Sequence, residues 1–148
     1  MTDQPSGGVF LGREHRLPVR VYYEDTDFTG LVYHASYVRF FERGRTEFMR
    51  ASGIGHRNLL ERADPCAFVV TRLDIAFRKA ARIDDALLVR TAYDRVRGPR
   101  LWVTQIIERG AQLIASAAVE VACITLAGAP RRPPVDLFEL IKPRLAET

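Results

Sequence analysis

The sequence predicts an α+β fold in which one antiparallel sheet of about five strands wraps around one long central helix. Two observations lead to this prediction. Apolar side chains recur every three or four residues over residues 34–52, which is the period of an amphipathic helix. Long extended runs then follow between residues 66 and 126, separated only by short turns. Strands joined in this way are antiparallel, because parallel neighbours need crossovers of about a dozen residues or more.

The composition is that of one globular domain: 148 residues, 47% hydrophobic, 27% charged, with a net charge of +4. The basic residues are dispersed, which argues against nucleic-acid binding and suits small anionic partners such as phosphates. No apolar run predicts a membrane span or a secretory signal. We interpret Cys66 and Cys123 as buried thiols of a cytoplasmic protein, since two cysteines are too few for a metal cage or a disulfide framework.

The chain divides into three parts. Residues 1–16 are Gly-rich and polar without clear periodicity, so we predict a poorly ordered N-terminal arm. Residues 17–127 form the domain, which begins with a strand over residues 17–23 and a loop over residues 24–30. Residues 128–148 form a C-terminal extension with a short helix near residues 135–142.

The long helix is predicted to end before Gly53. Gly44 lies in its middle on the apolar stripe, where glycine costs about 1 kcal/mol relative to alanine. We take Gly44 as a sign that a sheet crosses the helix at close range. A second, short helix is expected at residues 57–62. The predicted strands of the meander that follows cover residues 66–80, 86–96, 100–108 and 112–126.

The segment between the first strand and the long helix is the densest in residues that carry chemistry. Residues 23–34 read Tyr-Glu-Asp-Thr-Asp-Phe-Thr-Gly-Leu-Val-Tyr-His. The first turn of a helix has free N–H groups and a partial positive charge, so it can hold an oxyanion. Asp27 opposite that turn offers a base or nucleophile, as acyl transfer requires. From the residues alone, Asp25 and Asp27 are better explained as turn and N-cap residues, and a metal site has no matching spacing.

These residues resemble a known family. The run from Arg20 to Tyr37, continued by residues 41–43 and 45–47, closely resembles the hotdog-fold acyl-CoA thioesterases of the 4-hydroxybenzoyl-CoA thioesterase-like superfamily, and within it the Tol-Pal-associated branch. Residues 67–70 and 81–85 look like that branch as well. The resemblance implies a hotdog fold and a homodimer or homotetramer. It also implies an acyl-CoA or acyl carrier protein thioester as substrate, with no cofactor beyond the coenzyme A of that substrate.

The resemblance also implies roles for single residues. Asp27 matches the catalytic carboxylate, and the backbone N–H of His34 matches the donor that polarises the thioester oxygen. The side chains of Tyr23 and His34 match residues that line or orient the site. The predicted oxyanion site at the helix N-terminus comprises Gly30, Val32, Tyr33 and His34. The weaker candidates for contact with coenzyme A phosphates are Arg72, Arg78, Lys79 and Arg82. Phe28 replaces a small or proline residue of the branch, which suggests that it occupies part of the acyl pocket.

Thioester hydrolysis is therefore the predicted function, and two alternatives were weighed against it. Enoyl-thioester hydration is disfavoured, because six residues separate Asp27 from His34 and the Asp-x4-His pattern of hotdog hydratases is absent. A non-catalytic module that binds an acyl carrier or a cell-envelope complex stays open, although the intact Asp27, Gly30 and His34 argue against it.

Other polar residues are given structural roles. His15 and His56 are expected at the surface, so no Ser-His-Asp triad can be assembled from this sequence. Glu42 lies about 12 Å along the helix from His34, since a helix rises 1.5 Å per residue. We expect it to form a structural salt bridge, with Arg45 as the candidate partner.

Overall fold

The structure is a computed structural model that describes residues 3–147. Met1, Thr2 and Thr148, which belong to the predicted arm and extension, lie outside the described residues. The strands are β1 (Val9–Leu11), β2 (Glu14–Arg20), β3 (Cys66–Phe77), β4 (Ala86–Arg97), β5 (Arg100–Arg109) and β6 (Gln112–Thr125). The helices are α1 (His34–Ala51), α2 (His56–Glu61) and α3 (Val135–Ile141), with 3-10 turns at Tyr23–Asp25 and Lys142–Arg144.

All six strands form one antiparallel sheet in the order β1-β2-β4-β5-β6-β3. The predicted α+β class with an antiparallel sheet and one long helix is confirmed. The predicted meander is wrong for β3, which pairs with β6 and not with β4. The reason is that β3 ends at Phe77, earlier than predicted, so the connection to β4 is long enough to cross the structure. It passes the start of α1, where the Val32 N–H donates to the Ala81 carbonyl at 2.9 Å.

The N-terminal segment differs from the prediction of a loose arm. Residues 9–16 belong to the sheet, because β1 pairs with β2 and β2 pairs with β4. The His15 side chain is fully buried, not exposed as expected, and its ring packs edge-on against Phe10 at 5.2 Å. Phe10 in turn contacts Phe48 of α1 at 5.1 Å. These two rings give the segment enough apolar contact to join the core despite its polar composition.

Helix α1 matches its predicted bounds and lies across the sheet. Its buried face carries Tyr37, Phe40, Phe41 and Phe48, none of them more than 4% exposed. The inference that a sheet crosses the helix at close range at Gly44 is confirmed. A Cβ atom at Gly44 would lie 2.7 Å from both Thr91 Oγ1 and Val89 Cγ1, so the helix packs on β4 at a distance that only glycine allows.

The first predicted strand, residues 17–23, lies nearer the N-terminus as β2, because Tyr23 already begins a 3-10 turn. The remaining elements agree with the prediction. Cys66 and Cys123 are free, buried thiols in neighbouring strands. The short C-terminal helix is present as α3, and Arg62 binds Asp136 through two hydrogen bonds of 3.0 and 3.1 Å. This pair ties α3 to the end of α2.

Candidate active site

Asp27 lies in a tight turn between β2 and α1. Thr26 and Val32 form an antiparallel bridge, the Asp27 N–H donates to the Leu31 carbonyl at 3.0 Å, and the Gly30 N–H donates to the Asp27 carbonyl at 3.1 Å. Gly30 has a φ of +81°, a conformation that side-chain-bearing residues rarely adopt. Gly30 therefore shapes the turn that carries Asp27, and its N–H group is already bonded within that turn.

The Asp27 carboxylate is exposed and held by one neighbour. Its Oδ1 atom accepts hydrogen bonds from the Thr29 hydroxyl and from the Thr29 N–H, the latter at 2.8 Å. These hydrogen bonds favour the ionised form and lower the pKa of Asp27. Asp27 is thus an ionised carboxylate at neutral pH, and its Oδ2 atom has no hydrogen-bond partner within residues 3–147.

Asp25, by contrast, has the capping role that Asp commonly fills. It is 4% exposed, and its Oδ2 atom accepts a hydrogen bond from the Tyr22 N–H at 2.8 Å. Its carbonyl accepts from both the Tyr33 N–H and the Ser36 hydroxyl, at 2.9 and 3.0 Å. Asp25 therefore fixes the loop to the first turn of α1 and leaves Asp27 as the available acid.

The predicted oxyanion site is smaller than expected. The N–H groups of Val32 and Tyr33 donate to the carbonyls of Ala81 and Asp25, and that of Gly30 to Asp27. These three residues are therefore not available as donors, a correction to the prediction. Their acceptors come from tertiary and turn contacts that local sequence does not reveal. His34 is the first residue of α1, and no acceptor for its N–H is found in the described part of the chain.

An open cleft of about 570 Å³ joins Asp27 to the start of α1 and the end of β3. The His34 ring lies 4.5 Å from the Tyr33 ring and 6.5 Å from the Phe77 ring, and Phe77 lies 5.6 Å from Tyr37. Arg78 and Lys79 follow Phe77 and also line the cleft. The cleft thus combines one carboxylate, one helix N-terminus, aromatic walls and two cations.

The cleft separates the predicted site residues into two groups. Those that line it are Asp27, Val32, Tyr33, His34, Arg78 and Lys79. Those outside its walls are Tyr23, Gly30, Arg72 and Arg82. Tyr23 is 84% exposed in the 3-10 turn, and Phe28 is fully exposed and not among the lining residues, so the single chain does not place Phe28 in an acyl pocket.

Three contributors were missed by reasoning from the sequence. Thr29 holds the carboxylate, and its position two residues after Asp27 is the usual signal of such a turn. The sequence predicts Phe77 only as an ordinary strand residue. It predicts Tyr37 only as a core residue of the helix stripe, yet the Tyr37 hydroxyl accepts a hydrogen bond from the Ala81 N–H at 3.0 Å and so anchors the segment that borders the cleft.

The segment between β3 and β4 is also held from behind. Arg109 donates to Asp85 Oδ2 at 2.7 Å and to the Ala80 carbonyl at 3.2 Å. Burial raises the pKa of Asp85, but hydrogen bonds from the Arg82 N–H and from Arg109 outweigh it and lower the pKa overall. The ionised Asp85 thus fixes the segment that presents Arg78 and Lys79.

Other residues considered in the sequence do not join this site. Glu42 Oε1 accepts a hydrogen bond from the Thr46 hydroxyl at 2.6 Å, so the expected salt bridge to Arg45 is not formed. His56 is exposed as expected. Across residues 3–147, no cluster of three or more His, Cys, Asp or Glu is placed to bind a metal ion, and no helix is long and apolar enough to cross a membrane.

Comparisons with known proteins agree with one another. The family model of the Thioesterase-like superfamily matches residues 21–142. The acyl-CoA thioesterase YbgC of Haemophilus influenzae is 46% identical over 109 residues, which are 74% of this chain and 79% of that protein. The acyl-CoA thioester hydrolase YbgC of Escherichia coli O157:H7 is 44% identical over 110 residues, which are 74% of this chain and 81% of that protein.

Solved structures show the same fold. A probable thioesterase from Bartonella henselae superimposes with a TM-score of 0.80 at 41% identity, covering 82% of this chain and 99% of that one. A 1,4-dihydroxy-2-naphthoyl-CoA thioesterase from Synechocystis superimposes with a TM-score of 0.78 at 22% identity, covering 86% of this chain and 94% of that one. At that lower identity the likeness concerns the fold alone.

Proposed function

The chain belongs to the thioesterase-like superfamily and has the hotdog fold, and from this we propose that it hydrolyses acyl-CoA thioesters with Asp27 as its catalytic carboxylate. The observation that carries the proposal is the pairing of an ionised carboxylate with a helix N-terminal N–H group at one cleft. The relatives named acyl-CoA thioesterases support the class of substrate.

The proposed reaction needs few groups, because a thioester carbonyl is electrophilic and its thiolate is a good leaving group. The carbonyl oxygen accepts a hydrogen bond from the His34 N–H, where the positive end of the α1 dipole stabilises the developing negative charge. Asp27 then acts in one of two ways. It either attacks the carbonyl carbon and expels the coenzyme A thiolate, giving an anhydride that water hydrolyses, or takes a proton from the water that attacks, after which the C–S bond breaks and the thiolate leaves.

The remaining site residues take supporting roles in the proposal. The His34 side chain lies between Tyr33 and Phe77 and orients the thioester from the cleft wall. Arg78 and Lys79 contact the coenzyme A phosphates, because both are cations at the cleft. Three predicted site residues lie outside the cleft walls: Tyr23, Arg72 and Arg82. We therefore assign Tyr23 a smaller contribution to catalysis, and the two arginines a smaller contribution to binding of coenzyme A.

We further propose that the protein acts as a homodimer or homotetramer in the cytoplasm. Strand β3 is an edge of the sheet, 12 residues long, with exposed Val70, Leu73 and Phe77. Its unpaired backbone groups and apolar side chains are typical of an edge that pairs with another strand. Because Phe77 also lines the cleft, a second copy paired along β3 borders the proposed site. The two free thiols support a reducing compartment.

The first test is thiol release from acyl-CoAs between acetyl and palmitoyl, together with benzoyl-CoA, for the wild type and Asp27→Asn. We expect turnover of at least one substrate and a loss of about 100-fold or more in the variant, since removing the carboxylate removes the base or nucleophile. Asp3→Asn, an exposed aspartate near the N-terminus that lies outside the cleft and outside the strands, is the matched control and keeps full activity.

Two results would contradict the proposal. Turnover that is equal in wild type and Asp27→Asn removes the role of Asp27. A folded wild type that turns over none of the substrates favours the alternative, a non-catalytic module that binds an acyl carrier or a cell-envelope complex. Binding of acyl carrier protein and of coenzyme A to the same preparation then becomes the next measurement.

A further inference from the structure

A second, smaller cavity lies between α1 and the sheet, away from the cleft of Asp27. Its volume is about 80 Å³, and it shares no lining residue with that cleft. Arg45 and Tyr93 line it together with apolar walls formed by Met49, Phe68 and Val121. Its other lining residues are polar: Glu42, Thr46 and His56.

Arg45 brings a positive charge to this cavity, and no acidic side chain contacts its guanidinium within the described residues. Its Nη1 atom donates to Gln105 Oε1 at 3.0 Å, and no ion pair to Arg45 is formed within residues 3–147. Burial lowers the pKa of Arg45, which reflects the cost of holding the charge there, but a guanidinium stays protonated in proteins. A desolvated charge with one neutral partner is unfavourable unless another group compensates it.

Gln105 cannot supply more than this one acceptor. Its amide nitrogen donates to the Phe41 carbonyl at 2.8 Å and to Thr91 Oγ1 at 2.9 Å, which fixes the orientation of the amide. Gln105 is also fully buried, so no rearrangement toward solvent is open to it. The other guanidinium N–H groups of Arg45 therefore remain available to a ligand.

Tyr93 provides a second donor. The residue is 2% exposed, and its ring is fixed against the Phe48 ring at 4.4 Å. Its hydroxyl makes no hydrogen bond in the described part of the chain. Burial raises the pKa of Tyr93, so the hydroxyl stays protonated and able to donate.

Glu42 forms no ion pair with Arg45, although its charge opposes in part the effect of burial on the pKa of Arg45. The Glu42 side chain is exposed, where water screens its charge, and its carboxylate is bonded to the Thr46 hydroxyl at 2.6 Å. Thr46 Oγ1 lies 3.1 Å from His56 Nε2, which completes a polar chain on that side. Arg45, in contrast, is only partly exposed.

We propose that this cavity is a binding site for a small carboxylate, with Arg45 and Tyr93 as the donors to its two oxygens. A guanidinium and a hydroxyl match the two acceptor atoms of a carboxylate. Since one water molecule takes up about 30 Å³ of liquid, the volume suits an ion the size of formate or acetate. The carbon end of acetate then faces Met49, Phe68 and Val121. The site is independent of Asp27 and of the proposed hydrolysis.

The test is a titration of the full chain with sodium acetate at constant ionic strength, followed by NMR of the arginine side-chain N–H signals. We expect one arginine signal to shift and saturate, with binding weakened about tenfold or more in Arg45→Met and less strongly in Tyr93→Phe. Arg43→Met is the matched control, since Arg43 lies on the same helix but outside the cavity, and it leaves binding unchanged.

Tyr93→Phe removes only a hydroxyl, so it keeps the test valid if Arg45→Met fails to fold. A shift that never saturates, or equal affinity in the wild type and the folded variants, would overturn the proposal. Equal binding of chloride would also overturn it, because a spherical ion does not need two donors placed for a carboxylate.

Discussion

Thr29 sets the electrostatic state of Asp27 although it takes no part in the proposed reaction. Both of its hydrogen bonds end on Oδ1 of the carboxylate, one from the backbone and one from the hydroxyl. The hydroxyl bond is the largest contribution to the lowered pKa of Asp27. A lowered pKa keeps Asp27 ionised, and hence active, to lower pH than an unassisted aspartate.

Thr29→Val therefore shifts the pH dependence of hydrolysis. Removing the hydroxyl raises the pKa of Asp27, so the acid limb of the kcat/KM profile moves to higher pH while the rate above neutral pH changes little. Thr26→Val is the control, because the Thr26 hydroxyl bonds to the Tyr23 carbonyl and not to a carboxylate. An acid limb at the same pH in the Thr29 variant would contradict this role.

The residues of the site were predictable to different degrees. Asp27 and His34 were found through the resemblance, because their spacing lies within one continuous segment. The engaged N–H groups of Val32 and Tyr33 were not predictable, since their acceptors depend on how distant segments fold together. The burial of His15 was not predictable, because it depends on contacts with Phe10 of β1 and Phe48 of α1, two other elements.

His15 makes the stability of the protein depend on pH. Burial lowers the pKa of His15, and a hydrogen bond with the Gly7 carbonyl and the charge of Glu47 oppose this only in part. Its Nδ1 atom is buried and has no hydrogen-bond partner within residues 3–147. As pH falls below about 6.5, the unfolded chain takes up a proton that the folded His15 resists. Neutral His15 therefore contributes to the free energy of unfolding above that pH. This contribution is lost on acidification, by about 1.4 kcal/mol for each unit by which the pKa of His15 differs between the unfolded and folded states.

His15→Gln tests this by removing the titration while keeping a donor for the Gly7 carbonyl. We expect the loss of unfolding free energy between pH 7.5 and pH 5, measured by urea denaturation, to be smaller in this variant than in the wild type. His56→Gln is the control, because His56 is exposed, and it keeps the wild-type loss. If His15→Gln loses as much unfolding free energy between pH 7.5 and pH 5 as the wild type, groups other than His15 cause the loss of stability in acid.

At the scale of single elements, α1 shows how a sequence pattern and packing agree. Periodicity predicted its ends, and the cost of Gly44 in mid-helix pointed correctly to a close crossing by the sheet. The pairing of β3 was not predictable in the same way. Apolar alternation marks a strand but not its partner, and a connection of eight residues serves a hairpin or a crossover equally well.

Gly44→Ala is expected to destabilise the protein, although alanine is the better helix former. The new methyl group meets Thr91 Oγ1 and Val89 Cγ1 at 2.7 Å, so the helix must move away from β4. We expect a net loss of about 1–3 kcal/mol in unfolding free energy, since overpacking outweighs the gain of up to about 1 kcal/mol in helix propensity. Urea denaturation measures it, and an unchanged or increased free energy of unfolding would contradict the close packing.

At the scale of the whole molecule, β3 is the place where the chain is incomplete by itself. One side of β3 pairs with β6 from Cys66 to Phe77, with a bulge between Val70 and Arg72, and the other side is an edge of the sheet. Its exposed Val69, Val70 and Leu73 add an apolar surface to that edge. Exposed apolar side chains on an unpaired edge favour pairing with another strand.

Val70→Lys and Leu73→Lys are therefore expected to shift the protein toward the monomer, because a charge along the edge disfavours pairing of two copies. Light scattering after size exclusion measures the mass. Ile83→Lys introduces the same charge at an exposed apolar residue outside the strands and leaves the mass unchanged. A wild-type mass in both edge variants would place the contact between copies elsewhere.

The position of β3 in the sheet also governs the order in which the molecule is built. β3 is complete at Phe77, but β6, its partner in the sheet, begins only at Gln112. On the ribosome, β3 therefore emerges well before β6 has been synthesised. Strands β4, β5 and β6, in contrast, can pair with one another through short turns as they emerge. Contacts so far apart in sequence are slow to form, and an apolar strand that waits for them is exposed to aggregation. Strand β3, which borders the proposed site, is thus the last strand to pair with its neighbour in the sheet during synthesis.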